Sequence, residues 1–266
     1  MSLMLFVLNF ACWTGLHYMH QRTLVADSSY PVVKPPSSVS IVIPAYNEEA
    51  FIERVLLCVE SQNVVLEHPE LFEVIVVDNG SADRTVELAE EYAKVTVEEQ
   101  RGVFYARHRG IMEANGELIV FLDADMVVPP NFLNLLLRHF YNGEIVAVGG
   151  GFLLIGGKLR NILPVYNNQL NSLVTKNFNL GVMAFRKEAY YRMGGFDFSL
   201  SQFTRSAERE TSVMGDFKSV GKVVWDTEAN VWVEPRLEYC MWYSHGQTCD
   251  SAYCRYCRER EAGQRF

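Results

Sequence analysis

The chain has 266 residues, 49% of them hydrophobic and 21% charged, and its formal net charge is −8 at pH 7. Such a length and composition suit one large globular domain with a sizeable core, or two small ones. Because nucleic acids bind basic surfaces, the negative charge argues against a nucleic-acid partner, although a divalent cation can still bring a phosphorylated ligand to an acidic protein.

The N-terminal segment is apolar: its first 21 residues carry no charged side chain, and residues 1–24 are predicted to form a membrane anchor or a membrane-surface helix. A helix of about 20 residues spans a hydrocarbon core of roughly 30 Å. Polar residues such as His17 and His20 leave a helix packed on the domain as the alternative. Arg22 follows the run and favours a cytoplasmic location for the rest of the chain, at the inner face of the membrane if the anchor forms.

Residues 25–38 are rich in Ser and Pro and are predicted to be a linker; residues 39–235 then form the domain, and residues 236–266 a helical tail. Within the domain, apolar strands alternate with amphipathic helices, which indicates a parallel sheet covered on both faces. The predicted strands are VSIVIPAY, FEVIVVDNGS, VTVEEQ and ELIVFLDAD, and the predicted helices are EEAFIERVLLCVESQ, RTVELAEEYAK and VFYARHRGIMEA. A helix capped at Asn131 opens a less regular second half with glycine-rich strands, which is expected to build the other wall of a cleft.

Three strand ends carry polar or turn-forming residues. They are Pro44-Ala45-Tyr46-Asn47, Asp78-Asn79-Gly80-Ser81 and Asp123-Ala124-Asp125. Because ligands bind beyond the carboxyl ends of the strands in parallel sheets, we expect the three segments to lie along one edge and to form a binding site.

Asp123 and Asp125 follow the apolar strand LIVFL and flank one small residue. Two carboxylates together with ligand phosphate oxygens suit a hard cation such as Mg²⁺ or Mn²⁺. Aspartate is also common in turns, so a solvated strand end is the alternative. The metal site is the interpretation that we favour, because polar residues are expected at the neighbouring strand ends.

Other polar residues near these ends allow more than one role. Asp78 follows a buried strand directly and needs a partner, either an N–H of a ligand or a backbone amide. Asp83 or Ser81 can cap the next helix. Asn47 is either an N-cap or, with Glu48, part of a loop that packs on a nucleotide base.

The cysteines do not predict a disulfide framework, because six are present without a clear cleavable signal peptide. Four of them, Cys240, Cys249, Cys254 and Cys257, lie close to the end of the chain. A zinc site that uses these cysteines or His245 is conceivable, but free thiols on a C-terminal helix are the simpler interpretation.

The segments VSIVIPAYNEE, VIVVDNGSADRT, ARHRG and GELIVFLDADMVVPP resemble, in order and spacing, the successive motifs of the family 2 glycosyltransferases. GVMAFRKEAYYRMGGFD resembles a later motif of that family, so the resemblance covers residues 39–235. It implies the α/β GT-A fold, a Rossmann-like and mostly parallel sheet flanked by helices, with a less regular acceptor-side half. It also implies inverting, metal-dependent transfer of a sugar from a nucleotide-diphosphate sugar, usually a UDP-sugar, to an acceptor hydroxyl.

The resemblance assigns roles to individual residues. It implies that the nucleotide is held by Pro44, Tyr46, Glu48 and Asp78, with Arg107 as a basic residue on the donor side. Asp123 would lie near the ribose and the metal, Asp125 would ligate Mn²⁺ or Mg²⁺, and the sugar and acceptor would be bordered by Gly194, Gly195 and Asp197.

The sequence departs from the family where the general base is expected. Phe198 replaces the usual Glu after GGFD, and Glu208-Arg209-Glu210 stands where the family has a Glu-Asp pair. Glu210 lies nearest the catalytic position and Glu208 is the other candidate, each one methylene longer than Asp. A solvated helix start is the alternative for this segment. The last core strand lacks the histidine that the family often uses on the metal, and His245 is the candidate replacement.

The expected partners are a nucleotide-sugar donor and a glycan or lipid-linked acceptor, with possible membrane association. Two other functions remain open. A sugar-phosphate nucleotidyltransferase would need a glycine-rich, basic loop after the first strand, and PAYNEE supplies neither feature. A catalytically impaired protein that binds sugar nucleotides or glycans is favoured only by the altered Glu208-Arg209-Glu210 segment.

Overall fold

The computed structural model describes residues 31–154, 180–198, 213 and 215–233. Its strands are β1 (Val39–Ala45), β2 (Phe72–Asp78), β3 (Lys94–Val97), β4 (Leu118–Leu122), β5 (Met126–Val127), β6 (Ile145–Leu154), β7 (Val182–Arg186) and β8 (Lys222–Val233). Its helices are α1 (Ile52–Glu60), α2 (Asn63–Glu67), α3 (Thr85–Ala89), α4 (Val103–Glu113), α5 (Phe132–Leu137) and α6 (Lys187–Arg192), with 3₁₀ turns at Pro69–Leu71 and Arg138–Tyr141.

The described strands form one mixed sheet in the order β3-β2-β1-β4-β7-β6-β8-β5. β1 runs parallel to β2 and β4, β2 runs parallel to β3, and β6 runs parallel to β8. β7 is antiparallel to both β4 and β6, so β6 points the same way as β4. The mostly parallel sheet that the sequence predicted is therefore confirmed. The described strands of the second half extend this same sheet.

The sheet has to curl. β4 and β5 are joined by residues 123–125 alone, yet they are four positions apart in the strand order. The connecting chain can reach roughly 14 Å when fully extended. Four spacings of about 4.8 Å would place the two strands about 19 Å apart in a flat sheet. The second half of the sheet must therefore bend back toward the end of β4.

Alternating side chains of the central strands fill two cores, one on each face of the sheet. In β4 every residue is buried: Leu118, Val120 and Leu122 face one core, and Ile119 and Phe121 face the other. The first core is covered by α1, whose buried residues are Ile52, Val55, Leu56 and Val59. The second is covered by α4 through Phe104, Ala106 and Ile111.

Three helices differ from the sequence prediction in detail. α1 begins at Ile52, four residues after the start of the predicted segment EEAFIERVLLCVESQ. α3 ends at Ala89, well before the end of the predicted segment RTVELAEEYAK, because the chain must turn to bring Lys94 into register with Ile75 of β2. The 3₁₀-like hydrogen bond from Tyr92 N–H to the carbonyl of Ala89 makes this turn. The helix after Asn131 does begin there, but the Asn131 side chain makes no capping hydrogen bond.

The described end of the predicted linker lies against the domain. The side-chain amide of Asn134 in α5 donates to the carbonyl of Pro31, and its oxygen accepts from the N–H of Val33, both at 3.0 Å. The domain boundaries predicted from the sequence stay predictions. Within the described ranges, no helix has both the length and the apolar character needed to cross a bilayer.

A buried carboxylate holds an irregularity in β8. The pairing of β8 with β6 shifts register between Trp225 and Asn230, and the side chain of Asp226 within this bulge is 3% exposed. Its Oδ1 accepts the backbone N–H groups of Glu228 and Ala229 at 2.8 and 3.2 Å. Its Oδ2 accepts from Arg138 Nη2 at 2.9 Å and lies 2.8 Å from His139 Nε2. The carboxylate thus ties the bulge to the turn after α5.

Asp226→Asn should lower the free energy of unfolding at neutral pH by roughly 2–4 kcal/mol, because it weakens a buried network. Burial raises the pKa of Asp226, but the hydrogen bonds from His139 and the Glu228 N–H, with the charge of Arg138, outweigh it and the net pKa is lowered. A lowered folded-state pKa contributes stability above the unfolded pKa of about 3.9 and loses it as pH falls through the folded value.

Urea denaturation of the unaltered chain and of Asp226→Asn, measured between pH 7 and pH 3, tests this account. The difference between their unfolding free energies should narrow below about pH 4. Glu228→Gln is the matched control, because Glu228 pairs with the same Arg138 but is 36% exposed. Its cost should stay below about 1 kcal/mol. Equal costs for the two substitutions, or a difference that widens in acid, would contradict this account of Asp226.

Gly110→Ala tests the close packing of α4 on the sheet. A methyl group at Gly110 would overlap the buried side chain of Val42 and lie 3.2 Å from Val77 Cγ2. Overpacking of this kind should cost about 1–3 kcal/mol of unfolding free energy despite the better helix propensity of Ala. Gly143→Ala is the control, since a methyl group there meets nothing within 4 Å. Thermal denaturation that fails to separate the two variants would contradict the packing.

Candidate functional site

The three polar strand ends lie along one edge of the sheet, as the sequence predicted. β1 lies between β2 and β4 and is parallel to both, so their carboxyl ends point the same way. Ala45 pairs with Asp78 at the end of β2, but the pairing of β1 with β4 stops at Val42. Pro44, which has no N–H to donate, lies beyond that point. A crevice can open there, at the switch point of the strand order.

Asp78 finds its partners in the backbone. Asp78 is 4% exposed. Its two carboxylate oxygens accept hydrogen bonds from the N–H groups of Gly80 and Ser81 at 3.1–3.2 Å. Gly80 takes the left-handed conformation that this tight turn needs, with φ of +80°. The sequence left open whether Asp78 pairs with a ligand N–H or with a backbone amide, and in the structure its carboxylate pairs with backbone amides.

The loop after β1 is fixed by its neighbour after β2. Asn47, at a φ of 53°, donates its N–H to Ser81 Oγ at 2.9 Å, and its side-chain oxygen accepts from Ala82 N–H at 2.8 Å. Asn47 is therefore not an N-cap, since α1 begins five residues later at Ile52. Glu48 is 8% exposed, and its N–H donates to Thr85 Oγ1 at 2.7 Å.

Asp83 lies one residue before the N-cap position of α3, which Arg84 occupies without a side-chain capping hydrogen bond, so neither Asp83 nor Ser81 is the N-cap proposed from the sequence. Its Oδ1 accepts the N–H of Thr85, the first residue of the helix, at 3.1 Å. Its Oδ2 accepts the N–H of Glu49 at 3.2 Å and so ties the two loops together again. Ser81, the other candidate cap, is bound to Asn47 instead.

Arg107 is buried beneath the edge of the sheet and forms an ion pair with Asp123. Its side chain is 3% exposed, and its Nη2 lies 2.8 Å from Oδ1 of Asp123, which is 31% exposed. Among the described residues, its Nε and Nη1 have no hydrogen-bond partner. The rings of Phe104 and Phe121 lie 5.9 and 5.6 Å from the guanidinium carbon. Arg107 thus reaches the predicted donor site through Asp123.

Asp123 is also held from its other side, by the start of β7. A methyl group at Gly181 would overlap the carboxylate of Asp123. The register explains this contact, because Val182 pairs with Leu122 and places Gly181 next to Asp123. Arg107 and Gly181 therefore fix the orientation of this carboxylate. The close contact between Gly181 and Asp123 could not be foreseen from the sequence alone.

Asp123 and Asp125 are both partly exposed, whereas Ala124 and Met126 between and after them are buried. They lie in a turn in which Met126 N–H donates to the carbonyl of Asp123 at 3.3 Å, and Arg54 Nη2 contacts the carbonyl of Asp125 at 3.3 Å. Two accessible carboxylates provide oxygen ligands of the kind that Mg²⁺ and Mn²⁺ prefer. The described ranges contain no cluster of three or more metal-ligating side chains, so further ligands would come from a bound diphosphate or from elsewhere.

Gly194 and Gly195 turn the chain sharply after α6. Both have positive φ, at 88° and 79°, and their N–H groups donate to the carbonyls of Tyr191 and Tyr190 at 3.0 Å. The hydroxyl of Tyr190 accepts the N–H of the buried Phe196 at 3.2 Å, and burial raises the pKa of Tyr190 to about 12. The glycines are therefore part of a well-packed structural turn.

Phe198, where the family has Glu, packs onto α4. Its ring is stacked on that of Tyr105 with centroids 4.7 Å apart, and it meets His108 edge-on at 5.3 Å. Burial lowers the pKa of His108. Asp197 is exposed. The pKa of Asp216 is raised by the partial burial of Asp216 itself and by the negative charge of Asp197.

Glu208, Glu210 and His245 lie outside the described residues, as do the four late cysteines, so their predicted roles stay predictions. Arg101, a residue at this edge, escaped the sequence reasoning. Arg101 lies over the ring of Tyr46, and Asn79 fixes the turn that carries it. The available signal was a lone arginine directly before the glycine that opens α4.

The family model for glycosyl transferase family 2 matches residues 40–206, well over half of the chain. The chain belongs to this family. The matched range contains the three strand ends, Arg107 and the turn at Gly194 and Gly195.

Two curated relatives are about one-third identical to this chain over aligned segments of 139 and 117 residues. A dolichol-phosphate mannosyltransferase from Pyrococcus furiosus is 33% identical over 139 residues, covering 50% of this chain and 38% of that protein. An undecaprenyl-phosphate 4-deoxy-4-formamido-L-arabinose transferase from Pseudomonas aeruginosa is 34% identical over 117 residues, covering 41% and 34%. The chain therefore spans little more than a third of the length of these two relatives.

Solved structures with a GT-A-type fold resemble this family member. A mannosyltransferase from Pyrobaculum calidifontis, in complex with GDP-Man and Mn²⁺, has a TM-score of 0.60 at 21% identity and covers 89% of this chain and 70% of its own. Glucosyl-3-phosphoglycerate synthase from Mycobacterium tuberculosis, in complex with Mn²⁺, UDP and phosphoglyceric acid, has a TM-score of 0.55 at 21% identity and covers 76% and 72%. These likenesses confirm the fold class predicted from the sequence.

In this family member, Asp123→Asn should cost on the order of 3 kcal/mol of unfolding free energy, because it leaves the buried charge of Arg107 without its counter-ion. Arg107→Met in that background should restore much of the loss, since it removes the uncompensated charge. Urea denaturation of the two single variants and the double variant gives the coupling energy, expected at about 1–3 kcal/mol. Strictly additive effects would show that the pair does not hold Asp123.

Proposed function

We propose that this chain is an inverting, metal-dependent glycosyltransferase that moves a sugar from a nucleotide-diphosphate sugar to an acceptor hydroxyl. The observation that carries the proposal is that groups suited to a nucleoside and carboxylates suited to a divalent cation lie at the same edge of the sheet. Tyr46 and Asp78 offer a ring and a carboxylate at the ends of β1 and β2, and the turn after β4 offers Asp123 and Asp125. Membership of glycosyl transferase family 2 supports this use of the edge.

The donor is proposed to be a UDP-sugar, with a GDP-sugar as the second candidate. The resemblance to family 2 favours uridine, while structures of similar fold contain either UDP or GDP-Man. Pro44, Tyr46, Glu48 and Asp78 would border the nucleoside. Of these, Glu48 and Asp78 are largely buried, so the half-buried Pro44 and Tyr46 offer most of the accessible surface.

Asp125, with Asp123 beside it, would hold the divalent cation, and His245 is the further candidate ligand. Two structures of similar fold contain Mn²⁺, which supports manganese as the first ion to test. When bound, such an ion neutralises the charge that develops on the leaving diphosphate, an effect that can contribute several kcal/mol. Asp123 is pre-oriented for this role by Arg107 and Gly181.

Glu210 is proposed as the general base that takes the proton of the acceptor hydroxyl, with Glu208 as the alternative. A single base and direct attack at the anomeric carbon give inversion. The segment that leads toward these residues is anchored, because Phe196 and Phe198 pack against the aromatic side chains of α4. Gly194, Gly195 and Asp197 would border the sugar and the acceptor.

The acceptor is proposed to be a glycan or a lipid-linked carrier. Two relatives are named for dolichol-phosphate and undecaprenyl-phosphate substrates, which supports the lipid-linked class. Attachment of residues 1–24 to the inner face of a membrane would bring the site close to such an acceptor.

The proposal is tested by thermal denaturation of the full chain with UDP, GDP and their sugars, each with Mn²⁺ or with EDTA. A ligand at 100 times its Kd stabilises the folded state by about 2.7 kcal/mol, which should raise Tm by roughly 5 °C or more. Asp125→Asn should abolish the Mn²⁺-dependent part of this shift. The absence of any shift in folded protein would overturn the donor site.

Turnover is measured as release of the nucleoside diphosphate from the donor that gives the largest shift. Glu210→Gln should keep the nucleotide-dependent shift but lower turnover about 10²–10⁴-fold, the usual contribution of a general base. Glu208→Gln is the matched control and should retain turnover. Binding without turnover in the unaltered chain would instead support the alternative of a non-catalytic sugar-nucleotide-binding protein, which the Glu208-Arg209-Glu210 segment favours.

A further inference from the structure

Arg54 in the first turn of α1 reaches the turn that carries the two candidate metal-binding carboxylates. Its Nη2 donates to the backbone carbonyl of Asp125 at 3.3 Å. Its guanidinium carbon lies 5.2 Å from the centroid of the Phe51 ring, within the range of a cation–π contact that helps to hold the side chain in place. Arg54 is partly buried, and partial burial strengthens a hydrogen bond from a charged donor.

The peptide unit between Asp125 and Met126 is held at both of its polar groups. Its carbonyl accepts from Arg54, and its N–H, which belongs to Met126, donates to the carbonyl of Asp123 at 3.3 Å. Because a peptide unit is planar, these two bonds fix its orientation and with it the ψ angle of Asp125. Both bonds exceed the usual length of about 2.9–3.0 Å, so loss of the charged one should free the unit to rotate.

The far end of β5 is attached to the same helix. Gln62, just beyond the end of α1, is fully buried. Its side-chain amide donates to the carbonyl of Pro129 at 2.7 Å, and its side-chain oxygen accepts the N–H of Leu133 at 3.0 Å. The chain is thus tied to α1 on both sides of β5, at Asp125 through Arg54 and at Pro129 through Gln62. The position of Asp125 therefore depends on α1 as well as on β4.

The two candidate metal ligands are oriented from opposite faces of the sheet. Arg107 of α4 holds Asp123 through its carboxylate, and Arg54 of α1 holds Asp125 through its backbone. The two helices cover different cores. The bond from Arg54 engages a carbonyl, so this bond does not compete with a cation for the carboxylate of Asp125.

We propose that Arg54 is a positioning residue that holds Asp125 in the orientation in which its carboxylate can ligate a divalent cation beside Asp123. The inference rests on the proposed function, since it needs a cation to bind at this turn. It adds α1 to the elements that build the metal site, through a residue that the sequence did not single out. Loss of a residue that orients a metal ligand typically lowers metal affinity about 10–100-fold.

Binding of Mn²⁺ to the full chain is measured from the electron paramagnetic resonance signal of free Mn²⁺, without nucleotide and with UDP or GDP. Arg54→Met keeps the apolar stem of the side chain but loses the hydrogen bond to Asp125. It should weaken Mn²⁺ binding at least about tenfold. Arg54→Lys keeps the charge but has a shorter side chain without the planar group of donors, so its Mn²⁺ binding should be about threefold weaker than that of the unaltered chain.

The sign of the effect distinguishes positioning from electrostatics. The positive charge of Arg54 repels a nearby cation, so loss of the charge by itself would tighten Mn²⁺ binding. Weaker binding by Arg54→Met would therefore have to come from the lost hydrogen bond to the turn. Tighter binding by Arg54→Met would overturn the proposal.

Arg186→Met is the matched control. Arg186 also donates to backbone carbonyls, those of Phe140 and Ile145 at 2.7 and 3.0 Å, and its guanidinium carbon lies 5.4 Å from the centroid of the Phe140 ring. It pairs with Leu118 at the start of β4, the end of that strand remote from the candidate site. Arg186→Met should lower Tm at least as much as Arg54→Met does but leave Mn²⁺ affinity within about twofold.

The outcomes separate the two proposals. If the unaltered chain takes up no Mn²⁺ beyond the amount that the nucleotide binds by itself, both the metal site and the role of Arg54 are overturned. If it binds Mn²⁺ and Arg54→Met weakens this binding no more than Arg186→Met does, the metal site stands and the role of Arg54 is overturned. Should the unliganded Tm show that Arg54→Met is unfolded, Arg54→Lys decides, and Mn²⁺ binding equal to that of the unaltered chain would overturn the role.

Discussion

The short link between β4 and β5 is the constraint on which the rest of the architecture depends. Residues 123–125 connect a central strand to the edge strand at the far end of the sheet, and the sheet must curl to let them do so. The same residues carry both candidate metal-binding carboxylates. The turn that forces the sheet to curl is therefore also the turn that carries Asp123 and Asp125. It is held at its start by the core strand β4 and at its end by the pairing of Met126 with Val233.

The positive charge of Arg107 is buried next to this turn. Arg107 lies close to the rings of Phe104 and Phe121, and among the described residues its ion-pair partner is Asp123. Removing a charge from water is unfavourable unless a counter-ion compensates, so Asp123 cannot turn away without stranding the guanidinium. With the backbone of Gly181 on its other side, the carboxylate keeps one orientation before any ligand arrives. Such preorganisation favours binding because little has to be reordered.

The four strands of the first half, their parallel direction and the site edge were predictable because they follow from patterns of side-chain type. The continuous burial of β4 and the polar residues directly after it are visible in LIVFLDAD. Partners were not predictable, because they depend on how distant segments pack. Asp78 needed a partner, yet only the fold decides between Gly80 N–H and a ligand. Asn47 bonds across to the loop after β2, a contact that local sequence cannot show.

The bulge in β8 could not be predicted from the sequence either. Extra residues in one strand of a pair depend on the register between β8 and β6 and not on the periodicity of side chains along β8. The bulge has a consequence at the other end of that strand. The residues of β8 that follow the bulge around Asp226 include Trp232 and Val233, which pair with Val127 and Met126 of β5. β5 begins directly after Asp125. A substitution at Asp226 is therefore expected to act on the spacing of Asp123 and Asp125 through β8 and β5, although neither carboxylate is itself changed.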